Sequence, residues 1–195
     1  LYGGVGSFGD GAAMRAAPIS AFFPLSNIEE LAEEVNLCSV LTHTHSYGIS
    51  GAVLQAVAVL LALNDVPVDS WMRTFFELNI ESAYKIKLED VERALRMKAS
   101  PIEAARVVGN GSDALDAVPA AIYSVMVNHC NIPESILFAV AMGGDTDTIG
   151  AMAGAIAGAA SGAENIPSDW FNNLENEKEG MGFIDALIRN VIKVG

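Results

Sequence analysis

The segment Gly143-Gly144-Asp145-Thr146-Asp147-Thr148 sets two carboxylates and two hydroxyls side by side at the start of an Ala/Gly-rich run. A helix N-cap needs one such residue, and negative charge there suits the helix dipole. Two carboxylates two positions apart, with Thr148 beside them, exceed what a cap requires. They are hard oxygen donors of the kind that Mg2+ or a similar cation takes. The glycine pair ahead of them lets the backbone bend tightly, so that both acids can face one point. Because Mg2+ takes about six oxygens, Asp145, Asp147 and Thr148 are expected to supply part of a shell. Water, a ligand or another segment supplies the rest.

A second candidate lies near the start. Gly3, Gly4, Gly6, Gly9 and Gly11 crowd one stretch, and Gly4-Val5-Gly6-Ser7-Phe8-Gly9 matches G-x-G-x-x-G. That motif binds dinucleotides only between a strand and a helix of a βαβ unit. Here three residues precede it and the remainder reads as helical, so the dinucleotide reading is rejected. What remains is a loop rich in accessible N–H groups, able to wrap an anionic or ribose-like ligand. His43 and His45, two positions apart, would point in different directions on a helix, which argues against a paired zinc site. One of them could hydrogen-bond a phosphate, and an ordinary structural role is an equal alternative. His129-Cys130 has no metal-ligating partner at useful spacing.

These groups need a scaffold, and the composition indicates its kind. The 195 residues are 51% hydrophobic, 18% charged and 7% aromatic, with 18 glycines. Mean hydropathy is +0.34. Such a chain is not short of core material, which excludes disorder. Its Ala/Val/Leu/Ile bulk suits closely packed helices. The net charge of −13, from 24 acidic and 11 basic residues, argues against nucleic acid as a partner, since phosphates require basic groups. The two cysteines, Cys38 and Cys130, are expected as reduced, buried thiols. The longest apolar runs, residues 51–63 and 149–160, fall short of the ~20 residues of a membrane span. No charged leader opens the chain. A membrane partner is therefore not expected, and the expected location is cytoplasmic, with the nucleus and the mitochondrial matrix as other candidates.

The spacing of apolar residues predicts one all-α domain over residues 1–195. Residues 1–15 read as a loop. Ser26 and Glu29 have capping-box spacing ahead of a helix carrying Ile28, Leu31, Val35 and Cys38. Residues 49–63 are apolar nearly all round, so that helix should be central. Further helices are expected from about Asp69, over 88–97, after Ser100-Pro101, over 114–127 with Pro119 tolerable only near its start, over 134–142, over 145–160 and over 183–194. Gly109-Asn110-Gly111 reads as a turn. Gly150, Gly154, Gly158 and Gly162 form a bare stripe expected to admit neighbouring backbones, at a cost of ~3–4 kcal/mol against alanine.

Four stretches carry a family resemblance: GSFGDGAAMRAAPIS (6–20), LTHTHSYGISGAVLQAVAV (41–59), GNGSDALDAVPAAIY (109–123) and GGDTDTIGAMAGAIAGA (143–159). Together they resemble the ADP-ribosylhydrolase family, which includes the dinitrogenase-reductase-activating glycohydrolases. The branch that cleaves ADP-ribosyl-serine and poly(ADP-ribose) looks nearest. The resemblance implies a compact multi-helix orthogonal bundle with a two-Mg2+ centre in a cleft. It implies Asp145, Asp147 and Thr148 as metal ligands, and Gly6, Ser7, Phe8 and Gly9 as the loop around adenosine and diphosphate. Phe8 would stack on adenine, where the family often has Tyr. His43 matches the phosphate-side histidine. Asp10 stands where Asn is common, which would alter ligand contacts.

The family also carries an N-terminal catalytic acid and a Thr-Asp-Asp block. This chain has no Asp-Asp pair, so the general acid/base is expected upstream of Leu1. The chain would then be the C-terminal portion of a larger domain, with the missing N-terminal segment as a partner. The expected function is Mg2+-dependent hydrolysis of the link between ADP-ribose and a protein side chain, serine first, or another ADP-ribose unit. ADP-ribose or an ADP-ribosylated protein is the expected partner. The alternative is a non-catalytic relative, either a crystallin-like structural protein or an ADP-ribose-binding pseudoenzyme.

Overall fold

The computed structural model describes residues 6–192, and among them no β-strand forms. Ten α-helices follow three short 3-10 helices. The 3-10 helices are Asp10–Arg15, Ala17–Phe22 and Leu25–Asn27. The α-helices are α1 (Ile28–Ser39), α2 (Ser46–Leu63), α3 (Trp71–Glu77), α4 (Ser82–Met97), α5 (Pro101–Val107), α6 (Ala114–Val127), α7 (Ile132–Ala141), α8 (Thr146–Ser161), α9 (Ser168–Asn172) and α10 (Met181–Ile192). The all-α expectation holds. The expected loop over 1–15 is corrected: from Asp10 onward it coils into a 3-10 helix. Gly3 and Gly4 lie outside the described residues.

α2 is the axis of the fold. Gly48 and every residue from Ser50 to Ala62 are buried. It packs against α1, α6, α8 and the 3-10 helix Asp10–Arg15. Its 18 residues are long and apolar enough to cross a membrane by length and composition, and 78% of it is buried inside the fold. Gln55, the amide in its midst, donates from Nε2 to the Met152 carbonyl at 3.1 Å, which ties α2 to α8. Around it Trp71, Phe75, Tyr84 and Tyr123 are fully buried, each stabilising the fold by roughly 1.5–3 kcal/mol or more. The polar ends of the two tyrosines are satisfied: Tyr84 donates to the Tyr47 carbonyl at 2.9 Å and Tyr123 to the Ala99 carbonyl at 2.8 Å.

Several helix ends differ from expectation. Ser26 does not cap α1; Asn27 occupies the N-cap, and Ser26 donates to its Oδ1 instead. The capping box forms at α5, where Ser100 and Glu103 bond each other's backbone and Pro101 takes the first turn. α4 starts at Ser82 rather than 88. Lys85 stabilises that region by donating to the Phe75, Phe76 and Leu78 carbonyls where α3 ends. Pro119 lies inside α6, not near its start. The glycine stripe of α8 also behaves differently. Gly150 and Gly154 lie under the Val140 and Ile136 side chains of α7, Gly158 faces open space, and Gly162 ends the helix at φ +82°. The stripe thus seats side chains rather than a neighbouring backbone. Cys38 is exposed, contrary to expectation; Cys130 is buried, and both thiols are free.

Candidate functional site

Four loops are linked one to the next beside α2, α6 and α8. The first carries Gly6, Ser7, Phe8 and Gly9 into the 3-10 helix. Gly9 pairs with Asp113 in an isolated antiparallel bridge. The Asp10 amide donates to the Ser112 carbonyl at 3.1 Å, and the Ala114 amide to the Phe8 carbonyl at 3.0 Å. This staples the loop to the turn ahead of α6. That turn grips the third loop in its place: the Asp145 amide donates to the Asn110 carbonyl at 2.9 Å. The Asn110 side chain donates to the Met142 carbonyl at 2.8 Å. Gly143 and Gly144 sit at φ +75° and +72°, a region open to glycine. A methyl group on Gly144 would collide with the Asn110 carbonyl oxygen. The Gly-Gly pair therefore exists so that the chain can pass close beneath Asn110 and deliver Asp145 to the head of α8.

The fourth loop holds the histidines, and the structure separates their roles. His45 is the N-cap of α2 and accepts from the Tyr47 amide at 3.1 Å. His43 instead turns to the glycine loop. A Cβ on Gly11 would stand 3.1 Å from His43 Nε2, and one on Gly9 3.9 Å. Gly48, on α2, lies beneath the Ser7 and Gly9 carbonyls and the His43 Cβ. Several glycines of this region thus serve close packing of loop on loop.

Arg15 donates to Thr42 Oγ1 and to the Gly11 carbonyl. The Thr42 hydroxyl also shares a hydrogen bond with His43 Nδ1, 2.8 Å away. Burial, and then the Arg15 charge, lower the His43 pKa and favour the neutral ring. Phe8 is 36% exposed. Its ring meets His45 edge-on at 5.7 Å, and His45 meets Tyr47 at 4.8 Å.

The acidic residues gather at the head of α8. Asp145 and Thr148 are half-buried and Asp147 is exposed. The Asp145 side chain makes no capping hydrogen bond, so capping does not account for it. A hydrogen bond shared with Asp145, and then the backbone amides of Asp147 and Thr148, hold Asp147 below the usual carboxylate range. Asp10 joins this group from the 3-10 helix. Burial, then the like charge of Asp145 and a hydrogen bond with it, push Asp10 up to about 7. Asp145, Asp147 and Thr148 are hard oxygen donors suited to a divalent cation, as the sequence suggests. Among the described residues no three histidine, cysteine or carboxylate side chains converge tightly enough to cage an ion unaided.

A model of the ADP-ribosylglycohydrolase family matches residues 2–194. The chain belongs to that family. Among relatives, the ADP-ribosylhydrolase ARH3 of Mus musculus is 34% identical, covering 99% of this chain and 59% of its own length. The ARH3 of Homo sapiens is 31% identical over 91% of this chain and 57% of its own length. An uncharacterised protein of Archaeoglobus fulgidus is 34% identical over 89% of the chain and 56% of its own length. The chain thus spans about three fifths of the length of the curated relatives it matches.

Within this ADP-ribosylglycohydrolase chain, the loop of Gly6, Ser7, Phe8 and Gly9 is stapled to the turn ahead of α6, His43 lies beside Gly9 and Gly11, and Asp10 interacts with Asp145, whose neighbours Asp147 and Thr148 open α8. Sequence reasoning missed three supporting residues. Asn110 sits in a Gly-Asn-Gly segment that reads as a plain turn, although the glycines on either side of it were a signal of close approach. Arg15 and Thr42 carry no local signal, because their link to His43 exists only once the loops meet.

Proposed function

We propose that this chain carries the ADP-ribose-binding part of a Mg2+-dependent hydrolase. The bond cleaved joins ADP-ribose to a protein side chain, serine first, or to another ADP-ribose unit. The observation that carries the reading is the linkage of the glycine loop to His43 on one side and, through the turn carrying Asn110 and Ser112, to the head of α8 on the other. The family membership and the similarity to proteins named ADP-ribosylhydrolase ARH3 support it.

Each part has a chemical task in this reading. Asp145, Asp147 and Thr148 hold Mg2+, with remaining ligands from water, diphosphate oxygens and the rest of the protein. The buried Asp10 Oδ2, which has no hydrogen-bond partner, and the crowding of like charges fit a place that takes positive charge. Bound Mg2+ supplies a Lewis acid that neutralises the diphosphate and polarises groups at the glycosidic bond. The amides of the 6–9 loop and the His43 ring orient the diphosphate, and Phe8 offers a ring face to adenine. The Gly143-Gly144 turn, gripped by Asn110, keeps Asp145 in place, so little reorganisation is needed on binding.

The test is release of free ADP-ribose from a serine-ADP-ribosylated peptide by the natural gene product, with Mg2+ and with EDTA. The expected result is Mg2+-dependent release that falls at least about a hundredfold in Asp145→Asn. Tight ADP-ribose binding with no release from serine, arginine or poly(ADP-ribose) substrates would select the non-catalytic alternative.

A further inference from the structure

One turn, residues 109–114, holds two parts of the site at once. Its Ser112 carbonyl accepts from the Asp10 amide at 3.1 Å, and its Ala114 amide donates to the Phe8 carbonyl at 3.0 Å. Its Asn110 carbonyl accepts from the Asp145 amide at 2.9 Å. The glycine loop and the head of α8 therefore take their mutual placement from this turn. The turn is anchored by an ion pair between α4 and α6. Lys87 of α4 donates from Nζ to Asp116 Oδ1 of α6 at 2.6 Å and to the Val108 carbonyl, where α5 ends, at 2.7 Å. The Asp116 carboxylate sits against both glycines of the turn. A Cβ on Gly109 would stand 2.5 Å from its Oδ1, and one on Gly111 3.2 Å from its Oδ2. Asn110, between those glycines, is thus set against a carboxylate whose position Lys87 fixes. Exposed ion pairs contribute little. Here the side chains are only 21% and 33% exposed, and the ammonium also satisfies a backbone carbonyl, so its bonds are charge-assisted and directional.

We propose that Lys87 and Asp116 are positioning residues for the ADP-ribose site: they fix the 109–114 turn and, through it, the register between the glycine loop and the head of α8. The inference rests on the proposed ADP-ribose binding at those two segments. Each residue acts through the backbone of the turn rather than by touching the ligand. Loss of the ammonium leaves the Asp116 carboxylate beside two glycine backbones without its counter-charge, and the turn loses its anchor. Movement at Asn110 takes the carbonyl away from the Asp145 amide, and movement at Ser112 frees the Asp10 amide. The two segments then lose their fixed spacing, and binding must restore it at a cost in affinity.

Amide hydrogen exchange on the natural gene product, paired with calorimetric titration of ADP-ribose in Mg2+, tests this. In Lys87→Met, exchange at the Asp10, Ala114 and Asp145 amides should quicken at least about tenfold, while amides in the middle of α2 keep their protection. ADP-ribose affinity should fall roughly tenfold. Asp116→Asn should do the same, and it supplies the readout should Lys87→Met not fold. Exchange at those three amides that stays as in the parent, or quickens equally along α2, overturns the positioning role. Local quickening with unchanged ADP-ribose affinity confines the pair to the fold and also overturns it. A parent protein that binds no ADP-ribose overturns the proposed function and this role with it, whatever the exchange shows.

Discussion

At the scale of single residues, the site is a problem of uncompensated charge. Asp10 interacts with Asp145 and feels the charge of Asp147, no ion pair reaches any of the three among the described residues, and Asp10 carries the greatest burden because it is buried. Its folded pKa of about 7 stands above the ordinary 3.8. Folding therefore favours the protonated form. The stability that Asp10 contributes in the cation-free chain is fully present below about pH 4 and is lost as pH rises through 7. Asp10→Asn should thus raise stability in EDTA at pH 8 by roughly 2–4 kcal/mol, and the gain should vanish near pH 4. Denaturant unfolding of parent and variant across that range checks it; a pH-independent difference would contradict the placement of Asp10. These acids show how far the sequence could be read. That Asp145, Asp147 and Thr148 open one helix could be read from the sequence, because their spacing is local. The exposure of Asp10 to them could not, because 135 positions of chain separate Asp10 from Asp145 and only the folded loops bring them together.

At the scale of elements, the fold spends its irregular backbone on delivering α8 to the site. Gly144 and Gly158 illustrate the two uses of glycine in the same segment. Gly144 needs its left-handed φ and its missing side chain to pass beneath Asn110, whereas Gly158 meets nothing within 4 Å. Gly144→Ala should destabilise the chain by roughly 2–4 kcal/mol. Gly158→Ala should stabilise it by roughly 0.5–1 kcal/mol through helix propensity. Urea unfolding of the two variants checks both signs, and equal effects would refute the distinct roles. Helices with strong periodicity, such as α1 and α6, were legible almost to their ends. The 3-10 helix Asp10–Arg15 was not, because the glycines around it are locally indistinguishable from a loop. It coils because it is held between α2, α6 and α8. The capping box went to Ser100 rather than Ser26 for a similar reason: Leu25–Asn27 continues as a 3-10 turn into α1, so Ser26 never reaches the N-cap.

At the scale of the whole molecule, an apolar axis, α2, carries a shell of amphipathic helices, and the loops at one place of that shell form the site. The core predicts a thiol pattern. Cys38 is exposed, while burial pushes the Cys130 thiol up to about 11. A thiol reagent at pH 7.5 should label Cys38 at once and Cys130 only on unfolding; fast labelling of both would contradict the packing around Cys130. α10 presents Phe183, Ile184, Leu187 and Ile188 to solvent, an apolar stripe unlike the tightly sealed α2. The central claim, however, is that the glycine loop, His43 and the acidic head of α8 form one Mg2+-dependent ADP-ribose site. Calorimetric titration of ADP-ribose into this chain, first with Mg2+ and then with EDTA, tests it most directly. The account predicts binding in Mg2+ that is lost in EDTA and in Asp147→Asn. ADP-ribose binding of equal strength in Mg2+ and EDTA, or none in a well-folded sample, would contradict it.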